Sequence, residues 1–134
     1  GRAELHPVVT GTRADRGTMR GHAGGVELYG VGLRAAPAHT NSRGFVHGGL
    51  ISALADNAMG LSCSRLLGRD TRLVTANLTV DFLGTALIGQ WLEFDTVFVK
   101  PGGTLCFTQA FVTADGQPCA RANGVFRVVK RLAA

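Results

Sequence analysis

An aspartate set two turns into an apolar run, nine residues after the histidine of a His-Gly-Gly triplet, is where this chain best fits chemistry: Asn41-Ser-Arg-Gly-Phe-Val-His47-Gly48-Gly49-Leu-Ile-Ser-Ala-Leu-Ala-Asp56-Asn57. Gly48 and Gly49 open the run. A helix start offers unpaired backbone N–H groups and a positive dipole end, suited to a carbonyl oxygen that is gaining negative charge. An unpartnered carboxylate in an apolar helix is costly. The residues three and four away from Asp56 are Ser52, Ala53, Met59 and Gly60, none of them basic. The ordinary reading of a helix aspartate, a surface carboxylate paired with an arginine, therefore lacks its arginine within the helix. Oxyanion donors at one end and a carboxylate able to take a proton from water further on point to acyl transfer to water.

Three neighbours of this stretch have plainer readings as well. Asn41 is a loop residue of the kind that satisfies backbone groups. Thr75 is an ordinary strand former. Gly48 and Gly49 also permit close packing, which does not conflict with a role for the Gly48 N–H.

The elements that must hold these residues follow from periodicity. Residues 1–25 show no sustained period and read as an N-terminal arm, mobile or carrying a short helix. The domain proper is assigned to 26–134, with a first strand over Val26 to Arg34. From about Gly48 to Leu67 two apolar stripes run along one helix: Leu50, Leu54, Ala58 and Leu61, and Ile51, Ala55, Met59 and Cys63. A helix apolar on most sides is buried, and Gly68 closes it as a C-cap. The period then changes to two. Val74, Ala76, Leu78, Val80 and Phe82 alternate with Thr75, Asn77, Thr79 and Asp81. Further strands are expected from Trp91 to Lys100 through Leu92, Phe94 and Phe98, and from Thr104 to Thr113 through Leu105, Phe107 and Phe111. A last one runs from about Pro118 to Val129, after an Asp115-Gly116 hairpin turn. Four such strands joined in a meander need a cover for their apolar face, and the only long apolar helix is 48–67. The fold class is α+β: an antiparallel sheet of about five to six strands wrapped around one central helix.

Composition narrows the function classes. The chain has 134 residues, 46% apolar and 17% charged, enough for one domain with a core of its own. No apolar stretch nears the ~20 residues of a membrane helix, and no signal-peptide core is evident. Cys63, Cys106 and Cys119 have no C-x-x-C spacing, so neither a metal site nor a redox motif is expected, and free core thiols suit a reducing cytoplasm. The net charge of +5 is carried almost wholly by arginine, but aromatics are scattered and there is no Lys/Arg run. Nucleic acid is a poor fit. A phosphate-bearing small molecule is a better one.

The element order, together with Asn41-x5-His47-Gly48-Gly49-x6-Asp56, resembles the hot-dog fold thioesterases, specifically their phenylacetyl-CoA thioesterase-like branch. The resemblance covers roughly residues 26–130. It implies hydrolysis of an acyl-CoA thioester in a cleft shared by two subunits, hence a homodimer and often a tetramer, with no cofactor because CoA belongs to the substrate. By that resemblance Asp56 is the general base or nucleophile and the Gly48 N–H polarises the thioester carbonyl. Asn41, from the partner relative to Asp56, positions water or thioester. His47 orders the loop and helix start, and Thr75 holds the water near the carboxylate. CoA is assigned to Gly49, Arg43, Lys100, Gly102 and Gly103, with Arg65, Arg69 and Arg72 as further phosphate candidates. Lys100-Pro101-Gly102-Gly103-Thr104 departs from the family's glycine–basic pair by placing the basic residue before the turn. The competing readings are a non-catalytic acyl-CoA binder on the same scaffold and a hot-dog dehydratase or hydratase. The acyl group stays open between aryl, medium-chain and long-chain.

Overall fold

The computed structural model describes residues 30–68 and 71–130, together with the extended pairs Glu4–Leu5 (β1), His22–Ala23 (β2) and Val26–Glu27 (β3). The other strands are β4 (Gly30–Arg34), β5 (Thr71–Phe82), β6 (Trp91–Lys100), β7 (Leu105–Ala114) and β8 (Gln117–Lys130). One helix, α1, spans Gly48–Leu67. Six strands form a single antiparallel sheet in the order β1-β4-β6-β7-β8-β5, with α1 packed on its inner face. This is the wrapped helix that the periodicity implied. Of the arm 1–25, the described pairs are both extended; the rest, including any short helix, lies outside the described residues.

α1 runs over the residues its two stripes marked out, and Gly68 ends it at φ 95, a left-handed value that glycine tolerates. Ile51, Ala55, Met59 and Cys63 are all buried against the sheet. The other flank is not enclosed: Asp56, Gly60, Leu61 and Ser64 are only half-buried, and Asn57 is exposed. The Asp115-Gly116 turn has φ 47 and 82, positive at both positions, as a type I′ hairpin requires.

Three expectations are corrected. The strand expected over 26–34 is two: β3 pairs with β2 in a separate ribbon, and only β4 joins the main sheet. The four later strands are not a meander. β5 pairs with β8, while β6 pairs with β4 and β7, so residues 83–90 carry the chain from one edge of the sheet past the helix start to β6. Along that link Ala86 O accepts from Val46 N at 2.8 Å, and Phe45 bridges Leu87. Eight residues of link allow such a crossing, whereas a hairpin needs a tighter turn.

The third correction concerns which side chains face the helix. On β7 the inner face consists of Cys106, Thr108, Ala110, Val112 and Ala114, all buried, while Phe107 is 46% exposed on the outer face. On β6 a bulge between Thr96 and Phe98 turns Phe98 outward, at 49% exposed. Small inner residues let the helix lie close to the sheet. Phe94 is buried as its alternation implied, but side-chain size alone does not mark the inner face: the bulge reverses Phe98, and on β7 the small residues are the ones that face the helix.

Cys63 on α1 and Cys106 on β7 meet in that seam, with Sγ atoms 2.6 Å apart. The contact raises the Cys63 thiol, with burial adding to it, and lowers Cys106; burial alone raises Cys119. All three cysteines are buried. Reactivity needs an accessible thiolate. A water-soluble disulfide reagent is expected to leave the native protein unlabelled over minutes and to modify all three after unfolding in guanidinium. Rapid labelling of native protein would show that the helix–sheet seam opens.

Candidate active site

The loop leading into α1 is held by its own polar groups. Asn41 Oδ1 accepts from the N–H groups of Arg43 (2.9 Å) and Phe45 (3.1 Å), and the Asn41 backbone N–H donates to Phe45 O at 2.8 Å. The side-chain oxygen of Asn41 is thus committed to the loop, and its amide nitrogen is what it has left to offer a ligand. His47 is the N-cap with an exposed side chain that makes no capping bond; its backbone N–H donates to His39 O at 2.9 Å. The histidine whose ring braces this entry is His39, buried, with Nδ1 accepting from Ala36 N at 2.9 Å. Sequence reading passed over it. Its place in a Pro37-Ala38-His39 turn was the available signal.

The first bond of the helix ladder runs from Ile51 N to His47 O at 3.2 Å, which puts the N–H groups of Gly48, Gly49 and Leu50 ahead of the ladder. Gly48 is half-buried, and a Cβ on it would lie 3.0 Å from Phe82 Cζ. Eight residues further on, Asp56 Oδ1 accepts a hydrogen bond from Thr75 Oγ1 at 2.8 Å. This pair sits in an open cleft of about 260 Å³ lined by Asp56, Asn57, Gly60, Leu61, Ser64, Leu73, Thr75 and Phe126.

Thr75 reaches Asp56 because β5 breaks its own alternation. The register against β8 shifts between Thr75 and Asn77, leaving Ala76 as an extra residue. Below the bulge Leu73 and Thr75 face the helix; above it Leu78, Val80 and Phe82 do. Strict alternation over Val74 to Phe82 places Thr75 on the wrong side and Val74 inside, yet Val74 is 57% exposed. The bulge aims a hydroxyl at the carboxylate.

The remaining candidates are dispersed over the surface. Arg43, Gly49, Lys100, Gly102 and Gly103 are exposed, the last three in or beside the β6–β7 turn, where a Cβ on Gly102 would meet Leu105 O at 2.7 Å. Arg65 and Arg72 are exposed too, and Arg69 lies outside the described residues. Among the described residues no group of three or more His, Cys, Asp or Glu side chains could hold a metal, and no helix is long and apolar enough to cross a membrane.

Within one chain the helix start and the carboxylate are two turns apart. Eight residues of helix at 1.5 Å each put Gly48 and Asp56 ~12 Å apart.

Comparison with known proteins gives concordant matches. The family model described as thioesterase superfamily matches residues 43–120. A Pseudomonas aeruginosa protein, provisionally named an esterase, is 37% identical over 98 residues, 73% of each chain. Human acyl-coenzyme A thioesterase 13 is 30% identical over 83 residues, which span 60% of this chain and 57% of that protein. Among solved structures, a Bacillus halodurans protein crystallised with CoA superposes with a TM-score of 0.70 at 29% identity, covering 75% of this chain and 66% of that one.

Proposed function

The chain belongs to the thioesterase superfamily, and from that membership we propose that it hydrolyses acyl-CoA thioesters in two clefts shared by a homodimer. The observation that carries this reading is the Asp56–Thr75 hydrogen bond, a carboxylate held by a hydroxyl at an open cleft. Water bound between them gives its proton to Asp56 as its oxygen attacks the thioester carbon. The carbonyl oxygen becomes an oxyanion on the Gly48 N–H. Collapse then breaks the C–S bond, and the CoA thiolate takes up the proton. Attack by Asp56 itself, through an acyl anhydride that water opens, uses the same residues.

The ~12 Å separation and the position of β5 support a shared cleft. It is a 12-residue strand at the sheet edge, with one side unpaired among the described residues. Such an edge is a template for a second strand. Gly48 lies by Phe82 at one end of β5, and Asp56 by Thr75 near the other. Antiparallel pairing of two β5 strands about a point between Leu78 and Thr79 sets Thr75 opposite the partner's Phe82. That register brings Gly48 of one chain beside the carboxylate of the other. The outer-face phenylalanines, Phe98 and Phe107, suit a second interface in a tetramer.

The test is complementation. Dimers of Asp56→Asn alone and of Gly48→Pro alone are each expected to be nearly inactive in an assay of CoA thiol release. After subunit exchange at equal amounts, half the dimers are mixed, each with one intact site, so about a quarter of wild-type activity should return. No recovery despite demonstrated exchange would place both groups in one chain's site and sink the shared cleft.

A further inference from the structure

We propose that His39 is a positioning residue for the thioester reaction: its buried ring and its carbonyl fix the peptide that carries the Gly48 N–H. This rests on the thioesterase reading above and adds to that site a residue that touches no substrate.

A buried imidazole needs partners for its polar atoms. His39 is 6% exposed, and its ring is committed to the loop that enters α1. Ala36 and His39 are tied twice. His39 N donates to Ala36 O at 2.9 Å, and Ala36 N donates to His39 Nδ1, also at 2.9 Å. Both backbone polar groups of Ala36 are thereby held by one residue, with the 3-10 turn Pro37–His39 closed between them. Proline at the start of that turn locks a further torsion. The His39 carbonyl is presented by this braced turn, and it accepts from His47 N at 2.9 Å.

His47 directly precedes Gly48, so one planar peptide carries both His47 O and the Gly48 N–H. The direction of that N–H is set by whatever holds His47. Two bonds do. His47 O accepts from Ile51 N at 3.2 Å on the helix side, and His47 N donates to His39 O on the loop side. Between them they keep His47 at φ −60 and ψ 133. The shorter hold is the one from His39, and the longer is the first rung of the helix, where ladders fray. Val46 and Asn41 are held as well, by Ala86 O and Phe45 O, but neither adjoins Gly48. The loop bond nearest the oxyanion donor is therefore the one that His39 supplies.

An oxyanion donor acts where charge develops, so turning it away lowers kcat and leaves KM nearly unchanged. The carbonyl is common to every acyl-CoA, so the loss is the same whatever the acyl group. A histidine that only filled space would lower stability and leave kcat of the folded protein alone.

Two substitutions separate the acceptor from the bulk. In His39→Asn, Oδ1 is attached to Cγ as Nδ1 is, and it can accept from Ala36 N. His39→Leu fills the site without an acceptor. Release of CoA thiol from phenylacetyl-CoA and octanoyl-CoA gives kcat and KM. His39→Leu should lower kcat at least about tenfold for both esters at near-constant KM, within the ~10²-fold that a 1 Å misplacement costs. His39→Asn should recover most of that loss despite its smaller side chain. Wild-type kcat in folded His39→Leu, or a His39→Asn protein as slow as His39→Leu, would overturn the proposal. If His39→Leu does not fold, His39→Asn decides alone: kcat near wild type supports the acceptor role, and a fall of about tenfold refutes it.

Amide hydrogen exchange provides a readout independent of turnover. In His39→Leu the His47 N–H should exchange at least about tenfold faster than in wild type, measured against core amides of β7, as a locally opened amide does. If wild type hydrolyses neither ester, the thioesterase reading fails. The His47 exchange rate then decides whether His39 holds the peptide, and an unchanged rate refutes it.

Discussion

Asp56→Asn is expected to lower kcat for acyl-CoA hydrolysis by at least about 10²–10⁴-fold, the worth of a positioned general base. The change is isosteric. The amide oxygen can still accept the Thr75 hydroxyl proton at the 2.8 Å that Oδ1 now does, so the helix-to-β5 contact survives. What is lost is the capacity to take a proton from water or to attack the thioester carbon. Release of free CoA thiol measures it, with circular dichroism and size-exclusion elution confirming an unchanged fold and assembly. Thr75→Val probes the same contact from the other side. It keeps the strand former and removes the hydroxyl, so a loss smaller than that of Asp56→Asn is expected, through misplacement of carboxylate and water. Less than tenfold loss in a folded Asp56→Asn protein would remove the carboxylate from the chemistry altogether.

The second large effect is expected at Gly48, where backbone rather than side chain does the work. Gly48→Pro deletes the N–H proposed to bind the oxyanion. Position 48 is the first residue of the helix, where proline's fixed φ is at home and the missing N–H breaks no ladder bond. The residue before it also suits a proline: His47 has φ −60 and ψ 133, in the extended region that X-Pro steps prefer. Loss of one oxyanion donor typically costs about 10²–10³ in kcat, and that is the size expected. Gly48→Ala is the control, since it retains the N–H. Its Cβ crowds Phe82 at 3.0 Å just as proline's would, and the exposed Phe82 ring can yield. Comparing the two variants cancels the crowding and isolates the donor. Equal activities would show that the Gly48 N–H does not bind the oxyanion.

Much of this protein is determined locally and so stands in the sequence. The helix is marked at both ends, by glycines at 48 and 49 and by Gly68, and its residues are apolar at helical spacing. Asp115-Gly116 specifies its hairpin because few other dipeptides tolerate two positive φ values. The line of Asn41, Gly48 and Asp56 is visible because a helix start and a helix interior fix what each residue type can do there. Tertiary structure decided the rest. The bulge at Ala76 arises only when β5 is laid against β8, yet it alone puts Thr75 on the side of Asp56. The bulge at Val97 and the closeness of the helix decide that Phe98 and Phe107 face outward while alanines and a cysteine face in. The bracing role of His39 depends on a turn partner that no period reveals. Sequence thus determined which groups are present and how far apart they lie along the helix. It left open which faces they share, because side-chain direction in a strand reverses with every inserted residue, and a bulge is a property of paired strands.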